Sequence, residues 1–126
     1  NYLGGEYYFT VDEVQEFEEL LYLIESKHSR NTLLPSKSDI KDGLLKLILY
    51  SNLASVRVNR KKYDSLPILK LTSTKLKGKL NSTQKGKDIT TFAKANVLNN
   101  AQIALLKNLF TEAQKNNFIV LIQHAT

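Results

Sequence analysis

The spacing of apolar residues changes along this chain, and the change limits the fold to a mixture of helices and strands. Residues 99–116 repeat apolar side chains at helical intervals. One face of that segment would carry Ile103, Leu106, Phe110 and Ala113. The apolar run NNFIVLIQ follows, and it predicts a buried strand over 117–123, with an extension of the preceding helix as the alternative.

The N-terminal third predicts one strand followed by two helices. The segment EYYFTV at 6–11 alternates in polarity, which is typical of a half-buried strand. Helical spacing predicts a first helix over 12–27, then a connection at 28–36 and a second helix over 37–50. The apolar stripe of the first helix would consist of Val14, Phe17, Leu21 and Ile24.

The start and the packing face of the second helix can be read from its residues. Ser36 and Asp39 have the offset of a capping box. Gly43 costs about 1 kcal/mol against alanine inside a helix, which indicates close packing at that point. The apolar stripe would consist of Ile40, Leu44, Leu47 and Ile48.

The middle of the chain predicts a β-hairpin with a basic tip over 54–72. Pro67 favours an edge strand or the start of a strand. Residues 74–80 could form a strand, a mobile loop or a helix. As a strand, they would hold three lysines about 6.8 Å apart on one side, and Thr74, Leu76 and Leu80 would face inward. The three lysines are Lys75, Lys77 and Lys79.

These segments predict an α+β fold with about four helices and a small antiparallel sheet or basic β-hairpin. The remaining helix would be ITTFAKAN at 89–96, capped by Asp88. We expect residues 1–126 to form a single domain. Its parts would be a strand–helix–helix portion at 6–51, a basic hairpin and loop region at 54–87, and C-terminal helices and a strand at 88–126.

The charges are distributed unevenly between the two parts of the chain. Residues 1–50 carry nine acidic and five basic side chains, whereas residues 51–126 carry thirteen basic and three acidic ones. Within 57–87 there are ten basic residues and one acidic residue, Asp64. This asymmetry indicates a polyanionic partner, such as nucleic acid or an anionic membrane surface.

The basic region favours duplex DNA, contacted through its phosphates, as the partner. Tyr63 is the only aromatic residue between 57 and 87, whereas single-strand and RNA platforms stack bases on aromatic rings. The predicted contact residues are Arg57, Arg60, Lys61, Lys62, Lys75, Lys77, Lys79, Lys85 and Lys87. A plasmid or chromosome maintenance factor or a transcription regulator would use such a domain. The alternative is a protein-interaction module that meets an acidic partner, such as segment 12–27 of a second copy.

Enzymatic activity finds little support in the sequence. There is no Cys, and His28 and His124 stand far apart without the spacing of metal ligands. Asp39 and Asp42 lie beside lysines, which is typical of a solvated helix face. We therefore expect no catalysis, no cofactor, no metal and no small-molecule site. Without a membrane-length apolar run or a leader, we expect no membrane insertion and a cytoplasmic location, at a nucleoid or in a nucleus if DNA is bound.

Residues 6–51 resemble the ribbon-helix-helix DNA-binding proteins of the plasmid partition, mobilisation and repressor type. The resemblance rests on the order of EYYFTV, VDEVQEFEELLYLIES and SKSDIKDGL. It implies a homodimer whose paired strands enter the major groove, with Glu6, Tyr8 and Thr10 facing outward.

Two other DNA-binding arrangements remain open. Helices at 12–27 and 37–50 followed by a basic hairpin have the order of a winged helix. Residues 89–109 could form a helix-turn-helix, with Ala93, Val97 and Ile103 as buried positions, although an ordinary pair of core helices also explains this segment.

Overall fold

Six strands and three helices form the described part of the chain. The computed structural model describes residues 13–17, 20–51, 56–58 and 61–125. The strands are β1 (Glu13–Phe17), β2 (Leu20–Ser29), β3 (Val56–Val58), β4 (Lys61–Ser73), β5 (Lys79–Asn81) and β6 (Ile119–His124). The helices are α1 (Lys37–Ser51), α2 (Gly86–Asn96) and α3 (Asn100–Asn116).

The strands form one mixed sheet whose main path is β1-β2-β4-β6-β5. The pairs β2–β4 and β4–β6 are parallel, while β1 and β5 pair antiparallel with β2 and β6. β3 pairs antiparallel with the start of β4 and lies off this path. Parallel neighbours need crossover connections, and α1 supplies the first while α2 and α3 supply the second.

The core lies on one face of the sheet. In the register of the parallel strands, Leu69 pairs with Val120 and Leu71 pairs with Ile122, so these four side chains point the same way. All four are fully buried. They belong to one cluster with side chains from every helix, which places the three helices on this face. Those helical side chains include Ile40 and Leu47 of α1, Ile89 and Phe92 of α2, and Leu106 and Phe110 of α3.

The predicted helix over 12–27 is wrong, because its described residues form the strands β1 and β2. β2 lies between two neighbouring strands, and it buries Leu21 and Leu23 on the core face and Ile24 on the other. A strand buried on both faces shows no alternation of polarity. Its apolar positions can therefore match a helical spacing by coincidence.

The predicted fold class is wrong as well. The described residues form three helices and a mixed sheet, not about four helices with a small antiparallel sheet. Residues 13–51 have the order strand–strand–helix, which is neither the order of a ribbon-helix-helix nor that of a winged helix. The predicted strand at 6–11 lies outside the described residues. The broad α+β class is compatible with the structure.

Several predicted elements are confirmed. The helix predicted over 37–50 is α1, and the backbone N–H of Asp39 donates to Ser36 Oγ at 3.1 Å, as a cap requires. The hairpin predicted over 54–72 is the antiparallel pair β3–β4. The predicted C-terminal helices are α2 and α3, and the predicted buried strand is β6.

Pro67 does not mark an edge strand, since β4 lies between β2 and β6. Pairing with β6 begins only at Ile68, one residue later, so proline takes a position just before the second ladder starts. This accommodates a residue that has no backbone N–H to donate.

Of the buried positions predicted for a helix-turn-helix, Ala93 is buried and Ile103 is half-buried, but Val97 is not buried. Val97 is 84% exposed and ends α2 in a left-handed conformation, with φ 52°. Its backbone N–H donates to Ala93 O and Lys94 O, which closes the helix.

No helix in the described ranges has both the length and the apolar character to cross a membrane.

The close approach of α1 to the sheet gives a first prediction. A Cβ added at Gly43 would lie 2.7 Å from Leu69 Cδ1, and Leu69 is fully buried and held by its neighbours. Gly43→Ala gains about 1 kcal/mol of helix propensity, but overpacking costs about 1–3 kcal/mol. We expect a net loss of stability, measured as a lower urea midpoint.

Gly86→Ala is the matched control. Gly86 is the first residue of α2, and a Cβ there would meet nothing within 4 Å. This variant should be as stable as the wild type or slightly more stable. A Gly43→Ala protein that is more stable than the wild type would contradict the tight contact.

Candidate functional site

The parallel strands β2, β4 and β6 all end at the same edge of the sheet, at Ser29, Ser73 and His124. Backbone bonds join these ends: Thr74 N–H donates to Ser29 O at 3.2 Å, and Ala125 N–H donates to Ser73 O at 3.1 Å. Loops that follow parallel strands at such an edge are common binding positions in α/β proteins. This edge is therefore the first place to look for a site.

Four basic residues follow the strand ends here, and we call them the basic edge. They are Arg30, Lys75, Lys77 and Lys79. All four are exposed. Arg30 is tied to the loop after β4, because Thr74 Oγ1 donates to Arg30 O at 2.9 Å. Arg30 was not among the predicted residues, since its approach to the lysines depends on the parallel pairing of β2 with β4.

Two side chains hold the loop between β4 and β5 in place. The Asn96 side chain forms two hydrogen bonds with the backbone of Lys77, accepting from its N–H at 2.7 Å and donating to its carbonyl at 3.1 Å. At the end of β6, the backbone N–H of His124 donates to Gly78 O at 3.3 Å, and its Nδ1 lies 3.0 Å from Leu76 O. The lysines thus project from a fixed backbone.

The predicted alternation of lysine and leucine is confirmed in its exposures. Leu76 and Leu80 are 2% and 1% exposed, whereas the lysines point into solvent. A continuous strand over 74–80 is not present, because a turn and a bend at Gly78, with φ +73°, precede β5. Thr74, predicted to face inward, is exposed.

The lysines of the basic edge carry charge that the described residues do not neutralise. Within those residues, Lys75, Lys77 and Lys79 form no salt bridge with a carboxylate. The sequence from 65 to 87 contains no acidic residue at all. Uncompensated lysines side by side create a positive potential that attracts anions.

The other predicted contact residues lie elsewhere. Arg57 is in β3, and Lys61 and Lys62 are in β4, where Arg57 pairs with Lys62. Their strand β4 runs thirteen residues to the basic edge. At about 3.3 Å per residue, this separates the two groups by about 40 Å. Arg60 lies outside the described residues.

The last two predicted lysines belong to a third position. Lys85 precedes the first residue of α2, and Lys87 is its second residue, while the opposite end of α2 carries Asn96 beside Lys77. The helix of eleven residues separates the two ends by about 16 Å. The structure therefore brings Lys75, Lys77 and Lys79 together and keeps the other predicted residues apart from them.

A group of charged side chains lies between β2 and α1, and we call it the Glu25 cluster. Its members are Glu25, Lys27, Asp42 and Lys46. Glu25 is 1% exposed and is the one carboxylate within the buried residues that the structure describes. Glu25 and Lys27 are two residues apart on β2 and share the core face of the sheet. Asp42 and Lys46 are one turn apart on α1, directly above them.

The four charges pair across the helix and the strand. Lys46 Nζ lies 3.2 Å from Glu25 Oε2, and Lys27 Nζ lies 3.6 Å from the same oxygen. Asp42 Oδ2 accepts from Lys27 Nζ at 2.8 Å and lies 3.6 Å from Lys46 Nζ. Both carboxylates therefore contact the same two ammonium groups, so they lie close to each other.

One carboxylate oxygen in this cluster lacks a hydrogen-bond partner among the described residues. Glu25 Oε1 is buried and has no hydrogen-bond partner among the residues of the described ranges. A buried oxygen without a partner costs about 1–3 kcal/mol, and more if it is charged. Such an atom calls for an explanation beyond packing.

The contact between Lys27 and Asp42 shifts the pKa values of both side chains. The hydrogen bond with Asp42 raises the pKa of Lys27 above its ordinary value, and burial opposes this with a smaller effect. The same hydrogen bond, with the charges of Lys27 and Lys46, lowers the pKa of Asp42. Lys27 is therefore a fixed cation at neutral pH and is not a proton acceptor.

The Glu25 cluster was not predicted, because 12–27 was assigned to a helix. In a helix, Glu25 and Lys27 would point in directions about 200° apart. In a strand they share a face. The available signal was a glutamate that directly follows the apolar run LLYLI, where an apolar residue would have extended the core.

Comparison of the chain with protein-family models, with curated proteins and with solved structures found no match.

The grip of Asn96 on the basic edge gives a second prediction. Asn96→Ala removes both bonds to Lys77 and a bond from Nδ2 to Phe92 O. We expect a loss of about 1–3 kcal/mol, since the partly buried groups lose their partners. Amide hydrogen exchange at Lys77 should accelerate. Asn108→Ala, at an exposed position of α3, is the control and should be neutral or slightly stabilising.

The shifted pKa values give a third prediction. The lowered pKa of Asp42 contributes stability that is present above the ordinary Asp pKa and is lost as the pH falls through the folded-state value. The raised pKa of Lys27 contributes stability that is lost only as the pH rises through its folded-state value, above the ordinary Lys pKa. Asp42→Asn should therefore be less stable than the wild type at neutral pH and approach it in acid.

Urea midpoints measured across the pH range test this. Asp64→Asn is the control, because Asp64 is exposed and forms no salt bridge with another described residue. Its difference from the wild type should stay small at every pH. An Asp42→Asn difference that persists unchanged in acid would contradict the ion pair as its source.

Proposed function

We propose that this domain binds the phosphate backbone of duplex DNA through its basic edge. The observation that carries the proposal is the fixed display of Lys75, Lys77 and Lys79, which have no acidic partner among the described residues. Lysines and arginines that neutralise phosphates supply most of the affinity in non-specific binding to DNA.

The fixed backbone of the basic edge strengthens this proposal. Leu76 and Leu80 are buried, and Asn96 and His124 bond the loop from either side. A lysine on a mobile loop would lose backbone freedom on binding, which opposes association. Here the fold has already fixed the backbone, so only side-chain freedom is lost.

The composition of the basic edge favours phosphates over bases. Its members are three lysines and one arginine, and no aromatic ring lies between 64 and 87 on which a base could stack. Lysine acts as a point charge, whereas bidentate contact to a base edge is usually made by arginine or an amide. Such contacts provide affinity and orientation and carry no sequence choice.

The β3–β4 hairpin provides a second basic group on the same molecule. Arg57, Lys61 and Lys62 lie about 40 Å from the basic edge along β4. At about 3.4 Å per base pair, that distance equals about 12 base pairs. We propose that a longer duplex engages both groups, and that Arg60, Lys85 and Lys87 add long-range attraction.

Salt-dependent binding to duplexes of defined length gives a fourth prediction. Lys75→Glu/Lys77→Glu should weaken binding strongly and lower the slope of log affinity against log salt by about two, since each phosphate contact contributes about 0.9. Lys107→Glu/Lys115→Glu is the matched control, with the same charge change at exposed positions of α3. Fluorescence anisotropy at several salt concentrations measures both.

Three results would count against the proposal. Wild-type protein that shows no binding at low salt removes DNA as the partner. Equal losses in the two double variants would show that net charge, not the basic edge, controls affinity. Displacement by polyglutamate that is as strong as displacement by duplex DNA would indicate an acidic protein as the partner instead.

A further inference from the structure

Glu25 occupies a position where folding alone would favour an apolar side chain. On the core face of β2 it follows Leu21 and Leu23, and its partner in the β2–β4 register is Leu69, which is fully buried. Replacing a buried ion pair with well-packed apolar residues is often neutral or stabilising. A glutamate here therefore weakens the core or leaves it no stronger, and this points to a role in function.

The unpartnered Oε1 of Glu25 indicates what that role requires. Lys27 and Lys46 both contact Oε2, so the two ammonium groups serve one oxygen of the carboxylate and leave the other bare. A cation bound at this oxygen would supply the partner that it lacks. Asp42, which contacts the same two lysines, brings a second carboxylate to this place.

The Glu25 cluster is accessible from one side. Asp42 is 55% exposed and Lys46 is 39% exposed, whereas Lys27 is 18% exposed and Glu25 lies beneath them. Lys27 is two residues before the end of β2 at Ser29, so the cluster lies about 7 Å from the edge where Arg30 begins the basic edge. A polyanion on the basic edge would pass close to the mouth of the cluster.

We propose that the Glu25 cluster binds a divalent cation such as Mg²⁺ or Mn²⁺, and that with this cation the domain hydrolyses a phosphodiester bond of the bound DNA. Mg²⁺ is usually held by one or two carboxylates together with substrate phosphates, not by a complete protein cage. Glu25 and Asp42 meet that requirement. Because the described residues contain no group of three or more possible metal ligands, water and substrate phosphate oxygens would have to complete the coordination.

The lysines have a different role from the carboxylates. Lys27 Nζ lies 2.8 Å from Asp42 Oδ2 and 3.6 Å from Glu25 Oε2, so its ammonium group is held in place beside both proposed ligands. Fixed charges aimed at a developing anion are among the largest contributions to catalysis. Lys27 and Lys46 would stabilise the negative charge that accumulates on the phosphate oxygens in the transition state.

The reaction is a hydrolysis and needs no reactant besides water. The oxygen of a cation-bound water forms a bond to phosphorus, while the bond between phosphorus and the leaving sugar oxygen breaks. The attacking water gives a proton to solvent, and the leaving oxygen takes up a proton from solvent. The products are a phosphate monoester and a free hydroxyl group, and the cation lowers the pKa of the attacking water.

The choice of DNA as substrate rests on the proposed function, whereas the cation site rests on the Glu25 cluster alone. The proposal departs from the sequence prediction of no catalysis, which was made with Glu25 and Lys27 assigned to a helix.

Nicking of supercoiled plasmid tests the proposal. The purified chain is incubated with plasmid and Mg²⁺ or Mn²⁺, and also with EDTA. We expect conversion to the nicked or linear form with the metal and none with EDTA. Glu25→Gln keeps the shape of the side chain and should slow the reaction by roughly a hundredfold or more, and Lys27→Met by a similar factor. Glu112→Gln, on α3, is the control and should retain the wild-type rate.

Stability and cation binding are measured on the same proteins. Glu25→Leu should unfold at the same temperature as the wild type or a higher one and yet be inactive, which a merely structural role would not produce. Mn²⁺ titration followed by electron paramagnetic resonance, at one fixed concentration of duplex DNA, should show one more bound ion with the wild type than with Glu25→Gln, because the DNA itself binds Mn²⁺ equally in both samples.

The outcomes separate this inference from the proposed function. DNA binding without any metal-dependent cleavage overturns the inference and leaves the proposed function standing. Cleavage that persists equally in Glu25→Gln, purified in the same way, also overturns it. Metal-dependent cleavage that is lost in Glu25→Gln and unaffected in Lys75→Glu/Lys77→Glu supports the inference and contradicts the basic edge as the binding surface. Protein that neither binds nor cleaves DNA refutes both.

Discussion

The parallel pairing of β2 with β4 is the constraint on which the rest of this structure depends. Parallel strands cannot be joined by a hairpin, so the chain must cross over the sheet, and α1 makes that crossing. The crossing brings α1 so close to the sheet that Gly43 lies against Leu69, with no room for a larger side chain. The same pairing puts the ends of β2 and β4 side by side. Both candidate sites follow from it, since one lies under α1 and the other at those strand ends.

The spacing of apolar residues and the capping residues predicted those helices and strands that form from a single chain segment. α1 could be predicted from its apolar stripe and its Ser36 cap, and β6 from an apolar run too rich in β-branched residues for a surface helix. β2 could not, because a central strand buries both faces and its apolar residues matched a helical spacing by coincidence. Its strand character comes from its neighbours β1 and β4. Because of that error, the predicted fold lacked the mixed sheet and had the wrong arrangement of helices and strands.

The candidate sites divide in the same way. The exposures of Lys75, Lys77 and Lys79 could be predicted, because the alternating Leu76 and Leu80 had to be buried. The approach of Arg30 could not, since it lies 45 positions earlier and arrives only through the pairing of β2 with β4. The basic segment 57–87 also divides in space into groups about 40 Å apart, because the thirteen residues of β4 lie between them. The sequence therefore predicted which segment is basic, but it did not predict how far apart the basic side chains lie in space.

Gly43 connects the packing of the fold to the chemistry of the Glu25 cluster. It lies one residue after Asp42 and three before Lys46, and a Cβ there would also approach Lys27 and Glu25 at 3.6 and 3.7 Å. Without the close approach that glycine permits, α1 would lie farther from β2, and Asp42 and Lys46 could no longer reach the strand charges. The close packing of α1 on Leu69 therefore also decides whether the charged side chains of the helix reach those of the strand.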